Sequence, residues 1–400
     1  MAYDLARIRA CYPALADGSA YLDGAAGTQV PTAVIDATAA AYTAGLANAQ
    51  GGFPASDRSD LIVAGAREAV ADLAGGVPTG VVLGPNSTSL VYLIATALAR
   101  RWAPGDEIVL TRLDHDANVR PWVQWAERTG VTVRWVDPVL PACELPAEAF
   151  DDVLGDRTRL VAVTAASNVV GTRPDVTAIA DRAHRAGAMV MVDGVHATPH
   201  GPVDVSALGA DLFVTSSYKW SGPHLAALIA DPGVLEDLWP DKLASSSNTV
   251  PERFERGTLP FADLAGMVAA VDHLAGLDDA ASGTRRQRLQ VSMAAVEQFE
   301  TGLFARLTDG LGRMRHVRRI GSPVRCAPTA YFTVDGHTPA EVSRRCADAG
   351  VNVWHGHNYA WELTGLLGIR EQGSAARAGL VHYNGPDDVD RLLEVLATLR

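Results

Sequence analysis

One pattern repeats between residues 79 and 231, where short apolar runs alternate with segments long enough to form helices. Apolar runs without polar alternation are typical of strands that are buried on both faces of a sheet. The predicted strands span residues 81–83, 107–110, 131–135, 159–162, 189–192, 212–215 and 225–230. This alternation predicts an α/β fold in which helices cover both faces of a mostly parallel seven-stranded sheet.

After residue 257 the pattern changes to longer helical stretches around a strand. Apolar residues at helical spacing predict helices at 259–277, 284–314, 338–349 and 387–399, and a strand is predicted at 330–334. We therefore predict a large domain over residues 16–258 and a smaller α+β domain built from residues 1–15 and 259–400.

Charge and cysteine spacing exclude several classes of protein. The net charge of −12 argues against nucleic acid or an anionic membrane surface as a partner, because both bind clustered positive charge. The four cysteines lie far apart without a C-x-x-C pair, so we expect reduced thiols and no metal site. The sequence shows no targeting segment and no apolar stretch of membrane-spanning length, and we expect a cytoplasmic protein.

Lys219 is one of only two lysines, against 32 arginines, and it follows the apolar run 212–215. A guanidinium serves salt bridges and solubility equally well, but an imine with an aldehyde requires a primary amine. We therefore predict that Lys219 forms a Schiff base with pyridoxal phosphate. The alternative interpretation is a surface lysine beside a turn.

Ligands in open α/β sheets bind at the carboxyl ends of the strands, and polar residues follow several of the predicted strands. Asp193 comes directly after the run 189–192, where a buried carboxylate needs a partner such as a protonated pyridinium nitrogen. Ser87 and Thr88 lie at the predicted start of a helix, where an anion such as a phosphate can bind. The alternatives are an N-cap or a salt-bridged acid for Asp193, and ordinary helix capping for the two hydroxyl residues.

Two further strand ends carry side chains that suit a flat heteroaromatic cofactor. His115 follows the run 107–110 and can stack on such a ring and exchange protons at a substrate carbon, although a lone histidine is more often not catalytic. Asn168 follows the run 159–162, and its amide can donate to a phenolic oxygen. These residues and Lys219 together predict one cofactor site.

Seven stretches of the chain match one known family in the same order. They are residues 21–26, 114–118, 167–172, 192–196, 216–219, 253–258 and 377–384. On these stretches the chain resembles the class V aminotransferase family of fold-type I pyridoxal phosphate enzymes, and most closely its cysteine desulfurase-like group. The resemblance spans nearly the whole chain. It implies pyridoxal 5'-phosphate as the cofactor and a fold-type I large domain with a smaller C-terminal α+β domain.

The resemblance implies a role for each residue that matches a family motif. Lys219 would carry the cofactor covalently, Asp193 would pair with its pyridinium nitrogen, and His115 would stack on its ring. His196 and Asn168 would bind the phenolic oxygen. The phosphate would be bound by four residues with hydroxyl groups, namely Ser87, Thr88, Ser216 and Tyr218.

The resemblance also implies a homodimer and a substrate site. Thr258 matches a residue that reaches the phosphate in the neighbouring subunit, so each site would be shared between two chains. Arg377 would bind the α-carboxylate of an amino acid substrate through both of its terminal nitrogens. The other residues expected around the substrate are Ala26, His355, His357 and Tyr359.

Two positions depart from the cysteine desulfurase-like pattern. Where the better-matching desulfurases read Gly-His-His-Cys-Ala, residues 356–360 read Gly-His-Asn-Tyr-Ala, so Tyr359 replaces the nucleophilic cysteine. A phenol cannot accept sulfur as a persulfide. His196 stands where desulfurases usually have glutamine, and a histidine there is similar to kynureninase-like and epimerase-like relatives. The aromatic and imidazole groups of residues 354–361 are typical of an active-site lid or, alternatively, of an exposed packing turn.

We therefore predict an amino-acid lyase that breaks a C–S bond by β-elimination and releases the sulfur group directly. Lys219 would remove the α-proton, and His115 or a histidine of the lid would act as the acid. An epimerase, an aminotransferase or a carbon–carbon bond-forming enzyme is an alternative, because the orientation of the bonds at Cα selects the reaction. A non-catalytic relative that binds a protein partner is a further alternative.

Overall fold

The structure is a computed structural model that describes residues 3–399, so Met1, Ala2 and Arg400 of the predicted small domain lie outside it. The helices are α1 (Leu5–Ala10), α2 (Thr32–Ala44), α3 (Pro54–Ala74), α4 (Ser87–Ala99), α5 (Arg120–Thr129), α6 (Val176–Arg185), α7 (Pro232–Glu236), α8 (Phe261–Ala275), α9 (Arg285–Gly312), α10 (Pro339–Asp348), α11 (Trp361–Leu366) and α12 (Pro386–Thr398). The strands are β1 (Ala20–Tyr21), β2 (Val81–Gly84), β3 (Glu107–Thr111), β4 (Thr132–Val136), β5 (Thr158–Thr164), β6 (Met189–Asp193), β7 (Leu212–Ser216), β8 (Ala226–Ala230), β9 (Val317–Ile320), β10 (Thr329–Val334), β11 (Val351–Asn352), β12 (Trp354–Gly356) and β13 (Ala375–Gly379).

The seven strands predicted from the repeating pattern form one sheet in the order β2-β8-β7-β6-β5-β3-β4. Strands β3 to β7 pair in parallel, whereas β8 runs antiparallel to both β7 and β2. Every residue of β2, β3, β7 and β8 is buried, which explains why their sequences are almost continuously apolar. The prediction of a mostly parallel seven-stranded sheet is therefore confirmed.

Two apolar cores lie on opposite faces of this sheet. Along β6, Val190 and Val192 point into one core and Met191 points into the other, as alternation along a strand requires. The first core contains residues of α3, α6 and α8, and the second contains residues of α4 and α5. The sheet thus lies between two helical layers, and its strand ends are left at the rim.

A second, four-stranded sheet has the order β12-β13-β10-β9 and is antiparallel throughout. It packs with α10, α12 and the second half of α9 around a third core. The two-stranded pair β1–β11 brings the segment after α1 to this unit. Strand β13 carries Arg377 in its centre, so the small sheet supplies one wall of the site described below.

Helix α9 is 28 residues long and joins the two units. Its residues Leu289 and Met293 pack in a core beside the large sheet, whereas Leu303 and Leu307 pack in the core of the small sheet. Because the whole of α8 packs beside the large sheet, the predicted domain boundary at residue 258 does not coincide with a break between cores, and it stays a prediction. Within residues 3–399 no helix, α9 included, is both long and apolar enough to cross a lipid bilayer.

Gly194 is the residue at which the chain leaves β6. A Cβ atom at this position would lie 1.9 Å from the ring of Phe213, which is fully buried in β7. We expect Gly194→Ala to lower the free energy of unfolding by about 1–3 kcal/mol, because the ring or the backbone must move. Urea unfolding followed by circular dichroism measures this change. Gly155→Ala is the matched control, since nothing lies within 4 Å of its Cβ position, and equal stability of the two variants would contradict the packing argument.

Candidate active site

The predicted site residues follow four strands that end at one edge of the large sheet. Asp193 is the last residue of β6, and Lys219 follows β7 after one turn of 3-10 helix. His115 comes shortly after β3, and Asn168 comes shortly after β5. Because β3, β5, β6 and β7 are consecutive parallel neighbours, side chains that are far apart in sequence meet at their carboxyl ends.

These side chains line one cavity with a small inner part of about 50 Å³ and an outer part of about 690 Å³. Five predicted residues line both parts, namely Thr88, His115, Asn168, Tyr218 and Lys219. Three other predicted residues line only the inner part, namely Ser87, Asp193 and His196. Five line only the outer part, namely Ala26, His355, His357, Tyr359 and Arg377. The structure therefore brings together all predicted site residues except Ser216 and Thr258.

Ser216 and Thr258 are not among the lining residues, for different reasons. Ser216 ends β7 and is fully buried, and its Oγ has no protein hydrogen-bond partner although it is close in sequence to Lys219. Thr258 is exposed and lines a separate groove of about 350 Å³ with Gly84 and Phe254. Within one chain, Thr258 is therefore not part of the cavity.

Lys219 is buried, with only 6% of its surface exposed, so the interpretation as a surface lysine is wrong. Burial lowers the pKa of its amine to about 8, the positive charge of Arg377 acts in the same direction, and the carboxylate of Asp193 opposes both. A substantial fraction of this amine is thus neutral near physiological pH and able to act as a nucleophile or a base.

Asp193 presents a buried carboxyl group to the inner part of the cavity. Its Oδ1 accepts a hydrogen bond of 2.9 Å from the backbone N–H of Val195. Burial raises the pKa of Asp193, while this hydrogen bond and the charge of Lys219 oppose the change. Within residues 3–399 it caps no helix and takes part in no ion pair, so neither structural alternative for Asp193 applies, and the carboxyl group is free to meet a cationic ring nitrogen.

His115 is held as a neutral imidazole with a defined tautomer. Its Nδ1 accepts a hydrogen bond of 3.0 Å from the backbone N–H of Ala117, so the ring hydrogen lies on Nε2. Burial lowers the pKa of His115 to about 3, and the positive charges of Lys219 and Arg377 add to this effect. The ring is therefore a neutral hydrogen-bond donor with a face available for stacking.

The polar atoms around the inner part fit pyridoxal phosphate. Asn168 and His196 line this part, and Asn168 Oδ1 and His196 Nδ1 are buried and have no protein partner. Ser216 Oγ, three residues before Lys219, is also buried and unpartnered although Ser216 is not a lining residue. At the start of α4, Asn86 is the N-cap, and its Oδ1 accepts a hydrogen bond of 2.8 Å from Ser89 N. Ser87 and Thr88 are thus not needed for capping, and the first N–H groups of α4 are available to a phosphate. Asn168 differs from the expectation in one respect, because its Nδ2 already donates to the carbonyl of Asn358 at 2.7 Å.

Arg377 provides a fixed positive charge on the side of the small sheet. Its Nη1 donates a hydrogen bond of 2.9 Å to the carbonyl of Asn168, and only 4% of the residue is exposed. Burial lowers the pKa of Arg377 to about 10, which leaves it charged at neutral pH. This geometry suits a substrate carboxylate, because the guanidinium is oriented before the ligand arrives.

The predicted lid is an ordered loop that is tied to the large domain. Asn358 and Tyr359 have φ angles of 47° and 59°, a left-handed conformation that is unusual for two consecutive residues with side chains. Their carbonyl groups accept hydrogen bonds from Asn168 Nδ2 at 2.7 Å and from Asp116 N at 2.8 Å. The ring of Tyr359 lies with its centre 5.2 Å from that of His115, and 66% of Tyr359 is exposed. The loop thus forms a wall of the cavity, which excludes its interpretation as a packing turn alone.

Three polar residues line the outer part without a role assigned from the sequence, namely Tyr92, Asp116 and Arg120. Tyr92 lies one helical turn after Thr88, so their spacing on α4 was the available signal. Asp116 and Arg120 form an ion pair of 2.9 Å, and Arg120 also pairs with Glu362 at 2.8 Å. Only the fold shows this second pair, because its members lie far apart in sequence.

Comparisons with known proteins agree with this geometry. The model of the class-V aminotransferase family matches residues 20–392. An uncharacterised protein of Mycobacterium tuberculosis is 36% identical over 100% of both chains, and a probable cysteine desulfurase of Pseudomonas aeruginosa is 34% identical over 97% of this chain and 96% of the relative. Among solved structures, the cysteine desulfurase CsdA of Escherichia coli matches with a TM-score of 0.87 at 27% identity and covers 100% of this chain and 99% of that one.

Because the amine of Lys219 is buried in the cavity and has a lowered pKa, we predict that an aldehyde attaches to it. After incubation with pyridoxal phosphate and reduction with borohydride, we expect peptide mass mapping to find one modification, on the peptide that contains Lys219. The initial rate should rise with pH up to about pH 8 and then level off, since the neutral amine reacts and its pKa is about 8.

The chain offers a matched control, because Lys242 is its only other lysine. Lys219→Ala should abolish the modification, and Lys242→Ala should leave it unchanged. Modification of the Lys219→Ala protein to the wild-type extent would reject the assignment.

Proposed function

The chain belongs to the class-V aminotransferase family of pyridoxal phosphate-dependent enzymes, and from this premise we propose that it cleaves the C–S bond of a sulfur-containing amino acid by β-elimination. Bound pyridoxal phosphate supplies an electron sink for a substrate that is attached through its amine. The cavity supports this proposal because an amine, a carboxyl group, a neutral imidazole and an arginine converge on it.

The residues that would hold the cofactor surround the inner part of the cavity. Lys219 would bind it covalently, Asp193 would pair with the ring nitrogen, and His115 would cover one face of the ring. His196 and Asn168 would bind the phenolic oxygen. The phosphate would be bound by the hydroxyl groups of Ser87, Thr88, Ser216 and Tyr218. The unpartnered Oγ of Ser216 and the free start of α4 support the phosphate assignment.

Lys219 is the proposed base. Its pKa of about 8 lets the free amine accept a proton from the substrate Cα near neutral pH. Cleavage of the Cα–H bond leaves an electron pair that forms the Cα–Cβ double bond as the Cβ–S bond breaks. The electron pair of the broken bond leaves with sulfur. The Nε2–H of His115 is the proposed hydrogen-bond donor to this sulfur, which leaves as a thiolate, because the bond from Ala117 fixes the ring hydrogen on Nε2.

The single observation that favours direct release of sulfur is that the lid carries a tyrosine, Tyr359, instead of a cysteine. It occupies the lid position at which the cysteine desulfurase-like pattern has its nucleophile, and it lines the outer part of the cavity. Among the residues that line either part, none is a cysteine. Cys326 lies outside the cavity, and burial raises the pKa of its thiol to about 11, which makes it a poor sulfur acceptor.

The proposal includes a homodimer in which Thr258 completes the phosphate site of the second chain. Thr258 is exposed and lies outside its own cavity, as such a role requires. Several large apolar side chains on and between α2 and α3 are also exposed, namely Ile35, Tyr42, Phe53 and Leu61. In the proposed dimer, a second subunit would cover these apolar groups.

Epimerisation at Cα is the second candidate. Lys219 shares the cavity with His355 and His357 of the lid, and proton exchange from two directions is what epimerisation needs. The products separate the two reactions, because elimination destroys the amino acid whereas epimerisation inverts it.

The reaction is tested by incubating the cofactor-bound protein with cysteine, S-substituted cysteines, cysteine sulfinate and alanine. For the lyase we expect pyruvate, ammonia and a released sulfur compound, identified by mass spectrometry. Alanine with transfer of sulfur to the protein would instead indicate a desulfurase, and inversion of alanine would indicate an epimerase. Variants with each of Cys11, Cys143, Cys326 and Cys346 changed to alanine should keep turnover within about twofold of wild type. Direct release would be contradicted if one of these cysteine variants lost turnover although it still bound the cofactor and kept the wild-type melting temperature.

Arg377→Lys tests the carboxylate site. Lysine keeps the charge but lacks the planar pair of donors, so we expect kcat/KM to fall by about 10- to 100-fold, mostly through KM. Arg370→Lys, on a half-buried arginine outside the cavity, is the control and should leave both constants unchanged. Unchanged kinetic constants in Arg377→Lys would show that the substrate carboxylate binds elsewhere.

A further inference from the structure

A buried acid lies on the apolar face of α9 and has no place in the proposed reaction. The buried positions of this helix follow helical spacing, namely Leu289, Ser292, Met293, Val296, Glu300, Leu303, Leu307 and Leu311. Glu300 therefore occupies a position at which the pattern expects an apolar side chain. Its side chain is 2% exposed, and it forms no ion pair with an arginine or lysine of the described residues.

The partner of Glu300 is a second buried residue, His200. Glu300 Oε2 lies 2.8 Å from His200 Nδ1, and the histidine side chain is 1% exposed. His200 is four residues after His196 on the turn that follows β6, and Thr198 N–H donates to the Gly194 carbonyl at 2.9 Å within that turn. The spacing of four places both imidazole rings on the same side of the turn.

The two rings are in contact, and the His196 ring lines the inner part of the cavity. The centres of the His196 and His200 rings are 5.0 Å apart, with an angle of 75° between the planes, so one ring meets the other edge to face. His196 Nε2 lies 2.9 Å from the hydroxyl of Thr329, and His196 lines the inner part of the cavity. A continuous path of contacts thus runs from α9 through His200 to the inner cavity.

We propose that Glu300 and His200 are a positioning pair that fixes His196 in the orientation that meets the phenolic oxygen of the cofactor. This inference rests on the role that the proposed function gives to His196. It goes beyond that function because neither Glu300 nor His200 reaches the cavity.

The protonation states follow from burial and hydrogen bonding together. Burial raises the pKa of Glu300 and lowers the pKa of His200, and both shifts favour a neutral acid beside a neutral imidazole. The acid then donates to His200 Nδ1, and the hydrogen of His200 lies on Nε2. The bond between His196 Nε2 and the Thr329 hydroxyl allows either donor. The proposal assigns the hydroxyl as the donor, which places the hydrogen of His196 on Nδ1, a buried atom without a protein partner. That N–H is the donor available to the phenolic oxygen.

Other ionisable groups act on the pair from the surrounding elements. They are Arg173, Lys219, Glu297, Tyr3 and His382. Arg173 Nη2 donates to the backbone carbonyl of His200 at 3.3 Å and also pairs with Glu297, so it holds the backbone of the turn and not the imidazole. Glu300 is the residue that bonds a nitrogen of the His200 ring.

The test compares three variants of the cofactor-bound protein by pH titration of the visible absorption band. A hydrogen bond donated to the phenolic oxygen favours its ionised form. Glu300→Leu should therefore raise the apparent pKa of the band by about one unit, because His196 loses its support. Glu300→Gln should match wild type, since an amide N–H can replace the acid O–H as donor to Nδ1. Glu297→Leu removes another acid of α9, which bonds no ring nitrogen, and should titrate as wild type.

A second measurement does not depend on the cofactor. Nitrogen-15 spectra of the cofactor-free protein should show the hydrogen of His200 on Nε2 and that of His196 on Nδ1. Hydrogen on Nδ1 of His200 would overturn the proposal, because Glu300 would then be an ionised acceptor. A Glu300→Leu protein that stays folded and titrates as wild type would also overturn it. If no visible band forms in any protein, the cofactor assignment fails, and the nitrogen-15 spectra alone decide the protonation states that the pair requires.

Discussion

The burial of one amine is the condition on which the site depends. In water the amine of Lys219 would be protonated near neutral pH, and its pKa falls from 10.5 to about 8 in the fold. A change of this size corresponds to about 3 kcal/mol of lost preference for the charged form. Arg377 adds to this effect from the small sheet, and Asp193 limits it from the adjacent strand. The amine is thus reactive because burial and the charge of Arg377 outweigh the opposing charge of Asp193.

The large sheet creates that environment through its register. Asp193 pairs with Val214 across β6 and β7, so the carboxyl group and the segment that carries Lys219 leave the sheet side by side. The ring of Phe213 occupies the space beside Gly194, which leaves no room for a side chain where the chain turns away from β6. Packing between two strands therefore sets the position of an acid and an amine that are 26 residues apart.

Backbone strain and buried polar atoms without partners are concentrated near the cavity. The lid holds two consecutive residues in a left-handed conformation, which costs roughly 1–2 kcal/mol for each of them. Buried polar atoms of Asn168, His196 and Ser216 lack protein partners, and each costs about 1–3 kcal/mol without a ligand. Large apolar cores on both faces of the sheet offset these costs. Strain and unsatisfied groups of this kind are typical of a binding site that is prepared for its ligand.

The sequence by itself determined the strands, their parallel arrangement and most of the site. All seven predicted strands lie within two residues of the observed ones, because continuous apolar runs are recorded directly in the residue order. Lys219, Asp193, His115 and Asn168 could be chosen because each follows such a run, and the carboxyl ends of parallel strands share one edge. Only the tertiary structure decided which residues from other elements reach that edge, such as Tyr92 and Arg120, or support it from behind, such as Glu300. These contacts depend on how helices and the small sheet pack against the large one, and a one-dimensional pattern does not contain the distances between elements that are far apart in sequence.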